Sequence, residues 1–259
     1  MERSDFAAVF AHEGVAAAYR HRPPYPAGVF DVLAGLVVDE SPAVLDIGAG
    51  EGALARPLAE RVGRVDAVDV SAAMIAVGRE RPGGRRENLR WIEGAAETTA
   101  LSGPYGLVTA GASLHWMAWP ALMARLVEVT VPGAYLAIVG HGADEVPWRA
   151  AMIEVIVRHS RNPDYDPDFS VIDLVTKSGH FEVAGSAGVG PVGLRQPVES
   201  YVEQYHSMSS LARELMPAEE AVAFDRALTE VVMPYAVDGV LEMDVKATVT
   251  WGRPMAGGG

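Results

Sequence analysis

The residues with the clearest chemical potential lie in one ten-residue stretch, Val44 to Ala53, reading VLDIGAGEGA. Gly48-x-Gly50-x-x-Ala53 fits the pattern G-x-G-x-x-G/A, in which a glycine turn lets a phosphate approach backbone N–H groups at a helix N-terminus. Asp46 and Glu51 oppose that use. Two carboxylates beside a pyrophosphate, in a partly desolvated pocket with an effective dielectric of about 20, cost several kcal/mol. A ligand with cationic groups and no phosphate turns the same acids into favourable neighbours. Asp69, nineteen residues after Gly50, ends the next apolar run, where a carboxylate accepts from two ribose hydroxyls.

S-Adenosylmethionine meets these demands. It carries an α-ammonium and a sulfonium for the acids, a methionine carboxylate for the N–H groups of the turn, and a ribose for Asp69.

The elements that must position these groups follow from periodicity. Apolar, β-rich runs at Ala43–Ile47, Val65–Asp69, Leu89–Glu93, Gly106–Ala110 and Ala134–Val139 alternate with helical segments at Ala53–Val62, Ala72–Arg79 and Trp119–Val129. Ser71 is the expected N-cap of the second helix, and Pro132-Gly133 the expected tight turn into the fifth strand. Further β-rich runs at Phe181–Val189 and Leu241–Trp251 enclose Pro197–Val232, which reads as helices with Tyr201, Tyr205, Met208, Leu211 and Leu215 at helical spacing. The expected fold is α/β: a doubly wound, seven-stranded Rossmann-like sheet with a mostly helical cap. Its expected pieces are an N-terminal cap segment 1–40, a ligand-binding core 41–140, a cap connection 141–167, a core continuation 168–195, a helical cap insert 196–239, a final core strand 240–253 and a flexible tail 254–259.

VLDIGAGEG, AVDVSAAMI, WIEGAAE and LVTAGASLHWM, in that order, resemble the successive motifs of class I S-adenosylmethionine-dependent methyltransferases. The resemblance covers about residues 14–253. YRHRPPYP, SLHWM and a closing TVTWGRP make it similar to the small-molecule branch that includes trans-aconitate methyltransferase-like enzymes and the methyltransferase type 11 domain. It implies that Gly48, Ala49, Gly50 and Gly52 line the methionine end, with Asp46 supporting the turn or the amino group. Asp69 takes the ribose, Ser71 and Met74 flank the adenine, and Ala95, Ala96 and Glu97 lie at its edge. Ser113, Leu114 and His115 follow the fourth strand, facing the sulfonium and the acceptor. Tyr19 shields the sulfonium and Arg22 pairs with the methionine carboxylate. Ala95 stands where many relatives have an aspartate, and Gly106 replaces an acid that commonly precedes the fourth strand's apolar run.

His115 is the catalytic candidate: an imidazole at a strand's C-terminal end can take a proton from a hydroxyl or ammonium acceptor near neutral pH. Tyr25, His115, Trp116, His141, Tyr205 and His206 are the candidates for the acceptor side. Each has a plainer alternative. Met74 can be core filling, Tyr25 part of a proline-stiffened turn, and the histidines packed or solvated.

Composition bounds the rest. The 259 residues are 49% hydrophobic and 21% charged, as in a globular protein with a large core. A formal charge of −13 and the lack of a long basic run argue against a nucleic-acid partner. With no cysteine, disulfides and thiolate chemistry are excluded, and no His/Asp/Glu spacing suggests a metal. The N-terminus carries acids and a histidine before any apolar run, and no uncharged run approaches membrane-spanning length, so the expectation is a cytoplasmic protein acting on a small-molecule methyl acceptor, without a membrane partner.

Overall fold

A computed structural model describes residues 13–143 and 145–256. The first twelve residues of the expected segment 1–40, Asp144 and the end of the tail 254–259 lie outside the described residues. The chain divides into two compact units, residues 25–141, 170–190 and 247–259 forming one and residues 1–24, 142–169 and 191–246 the other.

The first unit is organised by a seven-stranded sheet in the order β3-β2-β1-β4-β5-β7-β6. Its strands are β1 (Ala43–Ile47), β2 (Arg64–Asp69), β3 (Leu89–Glu93), β4 (Tyr105–Gly111), β5 (Thr130–Gly142), β6 (Phe181–Pro197) and β7 (Val240–Pro254), the last two continuing into the other unit. β1 pairs in parallel with β2 and β4, β2 with β3, and β4 with β5. Every residue of β1 is buried, as expected of a central parallel strand covered on both faces. Its side chains alternate between two apolar clusters, Val44 joining Leu33, Val65 and Leu107 on one face, Leu45 and Ile47 joining Val68, Val108 and Leu126 on the other.

Helices α2 (Gly28–Leu36), α3 (Ala55–Leu58), α4 (Ala72–Glu80), α5 (Trp119–Val129) and α7 (Val171–Lys177) belong to this unit. The Ser71 Oγ caps α4 by accepting from Met74 N at 3.2 Å. Three expectations need correction. Residues 25–36 belong to the unit of the sheet, where Val29, Phe30 and Leu33 form an apolar stripe that α2 buries against Val44 and Leu107. The helix expected over Ala53–Val62 shrinks to Ala55–Leu58; Glu60 and Arg61 donate only three residues back, to Pro57 and Leu58, so the chain tightens into turns before Gly63. Pro132-Gly133 lies inside β5, where the pairing jumps from Tyr105↔Thr130 to Leu107↔Tyr135 and Gly133 takes φ +91°.

The second unit has its own core, built on α6 (Arg149–His159), α8 (Val198–Glu203) and α9 (Ala218–Val232), with Trp148, Ile156, Tyr201, Phe224 and Leu228 at its centre. Helix α1 (Glu13–Tyr19) docks within it, Val15 packing on Ala212. The tyrosine-bearing segment after Tyr201 is not one long helix: α8 stops at Glu203 and gives way to 3-10 turns over Gln204–Ser207 and Arg213–Leu215.

Candidate active site

β1 ends the build-up of the site. Parallel register sets Asp46 beside Ala67 of β2 and Thr109 of β4, so its side chain emerges between three buried strands, 1% exposed. The Thr109 Oγ1 donates to Asp46 Oδ1 at 2.7 Å, whereas Oδ2 is buried without a hydrogen-bond partner among the described residues. Burial pushes the Asp46 carboxyl up to about 7, and the Asp69 charge adds to the rise. Thr109, and the Ala55 amide nearby, only partly oppose it.

The chain then turns through Gly48, Gly50 and Gly52, all at positive φ. Gly48 has no room for a side chain: a Cβ there would stand 2.4 Å from the Cβ of Ser113, whose Oγ donates to the Ile47 carbonyl at 2.7 Å. The backbone of the turn is heavily used. Ala49 N donates to Val68 O, Gly52 N to Ala49 O, and Gly50 N to Asp69 Oδ2 at 2.7 Å. Those three N–H groups, expected to receive a ligand carboxylate, are therefore committed within the protein. Asp69 closes β2, and its Oδ1 accepts from Ser71 N at 2.8 Å. Each Asp69 oxygen keeps acceptor capacity after one bond. Burial raises its carboxyl above the ordinary range, against the lowering effect of the two backbone donors.

Glu51 is placed otherwise than its sequence suggested. Arg81 holds its Oε2 at 2.9 Å and Arg56 stands 3.6 Å from Oε1, so two guanidiniums neutralise this acid. The electrostatic case against a pyrophosphate consequently rests on Asp46 and Asp69, neither of which has a basic partner among the described residues.

The remaining sequence candidates divide between the units. Met74 is 2% exposed and lies under the turn, its Cε 3.2 Å from where a Gly50 Cβ would be. Ala96 and Leu114 are core residues, while Ala95 is half-buried. Glu97 accepts from Ala118 N at 2.9 Å, at the start of α5. After β4 the chain passes through Ala112, a non-glycine residue at φ +53°, and enters a 3-10 turn over Leu114–Trp116. His115 and Trp116 are half-buried there, with ring centroids 4.5 Å apart. Tyr25 and His141, expected on the acceptor side, do meet: their rings are 3.8 Å apart and tilted by 34°. The Tyr25 hydroxyl approaches Gly111 so closely that a Cβ there would lie 2.6 Å from it. The C-terminal ends of β1, β2, β4 and β5 thus carry Asp46, Asp69, His115 and His141, with Tyr25 at the β4 and β5 ends.

Tyr19, Arg22, Tyr205 and His206 belong to the other unit. Arg22 stacks over Tyr19 at 4.4 Å and donates through Nε to Ser207 Oγ at 2.7 Å. The Tyr205 hydroxyl lies 2.7 Å from the Met152 sulfur. His206 has both ring nitrogens engaged, Nδ1 at 2.7 Å from Leu211 O and Nε2 at 2.7 Å from Asp225 Oδ1. Burial pushes the Asp225 carboxyl up, but the His206 and Arg213 bonds outweigh it and hold that group below its ordinary value.

Sequence reasoning missed Thr109, Arg56 and Arg81. Thr109 carried a usable signal, a hydroxyl in an otherwise apolar strand one pairing step from Asp46. The arginines carried none.

The acceptor set fits the α-ammonium and the ribose of S-adenosylmethionine. An orphaned, buried carboxylate oxygen suits the α-ammonium, and Asp69 has acceptor capacity left for ribose hydroxyls. Among the described residues no group of His, Asp and Glu is placed to hold a metal ion, and no helix is long and apolar enough to cross a membrane.

Residues 44–133 match the family model described as a methyltransferase domain. The tRNA 5-carboxymethoxyuridine methyltransferase of Escherichia coli K12 is 30% identical over 161 residues, covering 56% of this chain and 62% of that protein. The chain therefore spans under two thirds of that relative's length. The trans-aconitate 2-methyltransferase of Azoarcus sp. BH72 is 32% identical over 42% of each chain. A Geobacter sulfurreducens S-adenosylmethionine-dependent methyltransferase, solved with S-adenosylhomocysteine, shares the fold at 16% identity, with a TM-score of 0.54 over 93% of this chain and 96% of that one. Residues 44–133 are accordingly similar to a methyltransferase domain, and the chain shares the fold of S-adenosylmethionine-dependent methyltransferases.

Proposed function

We propose that the protein is a methyltransferase that moves the methyl group of S-adenosylmethionine to an oxygen or nitrogen of a small metabolite, in the cytoplasm and in specialised metabolism. One observation carries the cofactor half of this reading: Asp46 and Asp69, both without a basic partner among the described residues, flank the glycine turn at the ends of β1 and β2. A methyl on sulfonium is already activated, so the protein's work is to align the acceptor and exclude water. His115 supplies the proton acceptor that a hydroxyl or ammonium needs, and Tyr25 and His141 supply an aromatic, hydrogen-bonding wall for the acceptor.

A nucleic-acid acceptor is the second reading, prompted by the tRNA-modifying relative. The formal charge of −13 weighs against it, and so does the pairing of Arg81, Arg85 and Arg86 with Glu51, Glu80 and Glu60, which leaves little free positive charge on the loop where arginines are densest. Incubation with methyl-labelled cofactor and a cell extract, followed by size separation, tests the choice. Label in the low-molecular-weight fraction is expected; label in tRNA would overturn the small-metabolite reading. Conversion of the cofactor without methyl transfer would point to another reaction on the same fold, and binding without turnover to a non-catalytic partner protein.

A further inference from the structure

We propose that Glu51 is a positioning residue which, gripped by Arg56 and Arg81, holds the Gly48–Gly52 turn in the shape that receives the amino-acid end of the cofactor; this rests on reading that turn as the cofactor loop. Glu51 sits inside the turn, yet its side chain is spent on the structure around it. Arg81, just beyond α4, approaches Oε2 with both Nη2, at 2.9 Å, and Nε, at 3.0 Å. Arg56 donates through Nε to the Glu51 carbonyl at 2.9 Å, stands 3.6 Å from Oε1, and donates through Nη1 to Pro82 O at 3.1 Å. One carboxylate therefore ties the turn to the first helix after it and to the loop after α4. The far side is braced by Trp91: a Cβ on Gly52 would meet its ring at 2.5 Å, and its Nε1 donates to Gly84 O at 2.8 Å.

The clamp acts through charge as well as shape. Burial holds the Arg56 guanidinium below its ordinary value, Glu51 opposes this, and the nearby Arg81 charge adds to it. Without the Glu51 carboxylate the two guanidiniums repel each other across a partly buried gap, and the turn between them loses the group that fixed it. The turn is bonded to the end of β2 at two places, Gly50 N to Asp69 Oδ2 and Ala49 N to Val68 O, while Ser71 N holds Asp69 Oδ1 separately, so the ribose acceptor keeps an anchor of its own when the turn shifts.

Calorimetry with two probes tests the proposal. S-Adenosylhomocysteine carries the amino-acid end, and adenosine lacks it. Glu51→Ala and Arg81→Ala are expected to weaken S-adenosylhomocysteine about tenfold or more while changing adenosine by no more than about twofold, and Glu51→Gln, which keeps an oxygen for Arg81, is expected to fall between wild type and Glu51→Ala. Amide exchange at residues 50–54 of the ligand-free protein is expected to quicken in both alanine variants. Arg81 is the more exposed partner, so its variant carries the test if Glu51→Ala does not fold. Unchanged affinity for S-adenosylhomocysteine, or an equal loss for both probes, would overturn the clamp. Failure of the wild type to bind S-adenosylhomocysteine would instead overturn the cofactor reading beneath it.

Discussion

Asp46→Asn replaces a buried carboxyl by a group of nearly the same shape that carries no charge at any pH. In the folded protein burial pushes this carboxyl from its ordinary 3.8 up to about 7. A group whose folded value lies above its unfolded value holds its proton more tightly when folded. Its stabilising contribution is therefore complete below pH 3.8, is lost as pH rises towards 7, and stays lost above that. About three units at 1.36 kcal/mol each make roughly 4 kcal/mol, the cost of ionising Asp46 in place. At pH 4 the ligand-free wild type and Asp46→Asn should have closely similar stability; by pH 8 the variant should be the more stable by up to that amount. The difference between the two proteins is the quantity to measure, by urea unfolding across the pH range, because every titrating group that does not interact with Asp46 cancels in it; Asp69, which does, adds a smaller contribution.

The same carboxyl should make cofactor binding depend on pH with the opposite sense. If Oδ2 receives the α-ammonium, binding requires the ionised form, and S-adenosylhomocysteine affinity of the wild type should rise with pH up to about 7 and then level. Binding at pH 6.5 should release a proton, visible as a calorimetric heat that changes with the ionisation enthalpy of the buffer. Asp46→Asn should bind weakly at every pH and release none from this position. A stability difference that does not change between pH 4 and 8, or identical binding profiles for the two proteins, would refute the assignment.

Asp69→Ala removes an acceptor already bonded to Gly50 and Ser71, and should weaken S-adenosylhomocysteine by about 1.5–3 kcal/mol; unchanged calorimetric affinity in the folded variant would move the ribose elsewhere. His115→Ala should lower kcat about 10²–10⁴-fold with cofactor affinity near normal, and normal turnover in the stable variant would remove His115 from the chemistry. Gly111→Ala should collide with the Tyr25 hydroxyl and press on the Leu54 side chain, parting the Tyr25–His141 pair and raising the acceptor KM by a larger factor than it weakens S-adenosylhomocysteine. Ala112→Gly relieves a left-handed backbone and should stabilise the folded protein by about 1 kcal/mol, read as a rise in Tm; a lower Tm would show that the alanine methyl is needed there.

Much of the sheet was legible because the strands of a parallel sheet write themselves as short, mainly apolar runs. Ala43–Ile47 and Leu89–Glu93 have the bounds that their runs suggest, and Ser71 caps α4 through the side chain that its type implies. The helix after the glycine turn was not legible at its full extent, because Ala53–Val62 is apolar enough for a helix while its last carbonyls are claimed by turns. Pro132-Gly133 announces a turn whether it lies between elements or inside a strand that bulges around it. The placement of residues 25–36 depended on which surface their apolar stripe would find, and the stripe by itself does not name it.

The site shows the same limit in its charges. A sequence counts acids but does not pair them, and Glu51 looked like Asp46 until its arginines, five and thirty positions away, were found against it. That pairing removes half of the original electrostatic argument against a dinucleotide. Asp46 and Asp69 have no basic partners among the described residues, burial raises both carboxyls, and the charge of Asp69 raises Asp46 further. Two neighbouring carboxyls raised in this way create a demand for positive charge, and a pyrophosphate would deepen the deficit where an ammonium fills it.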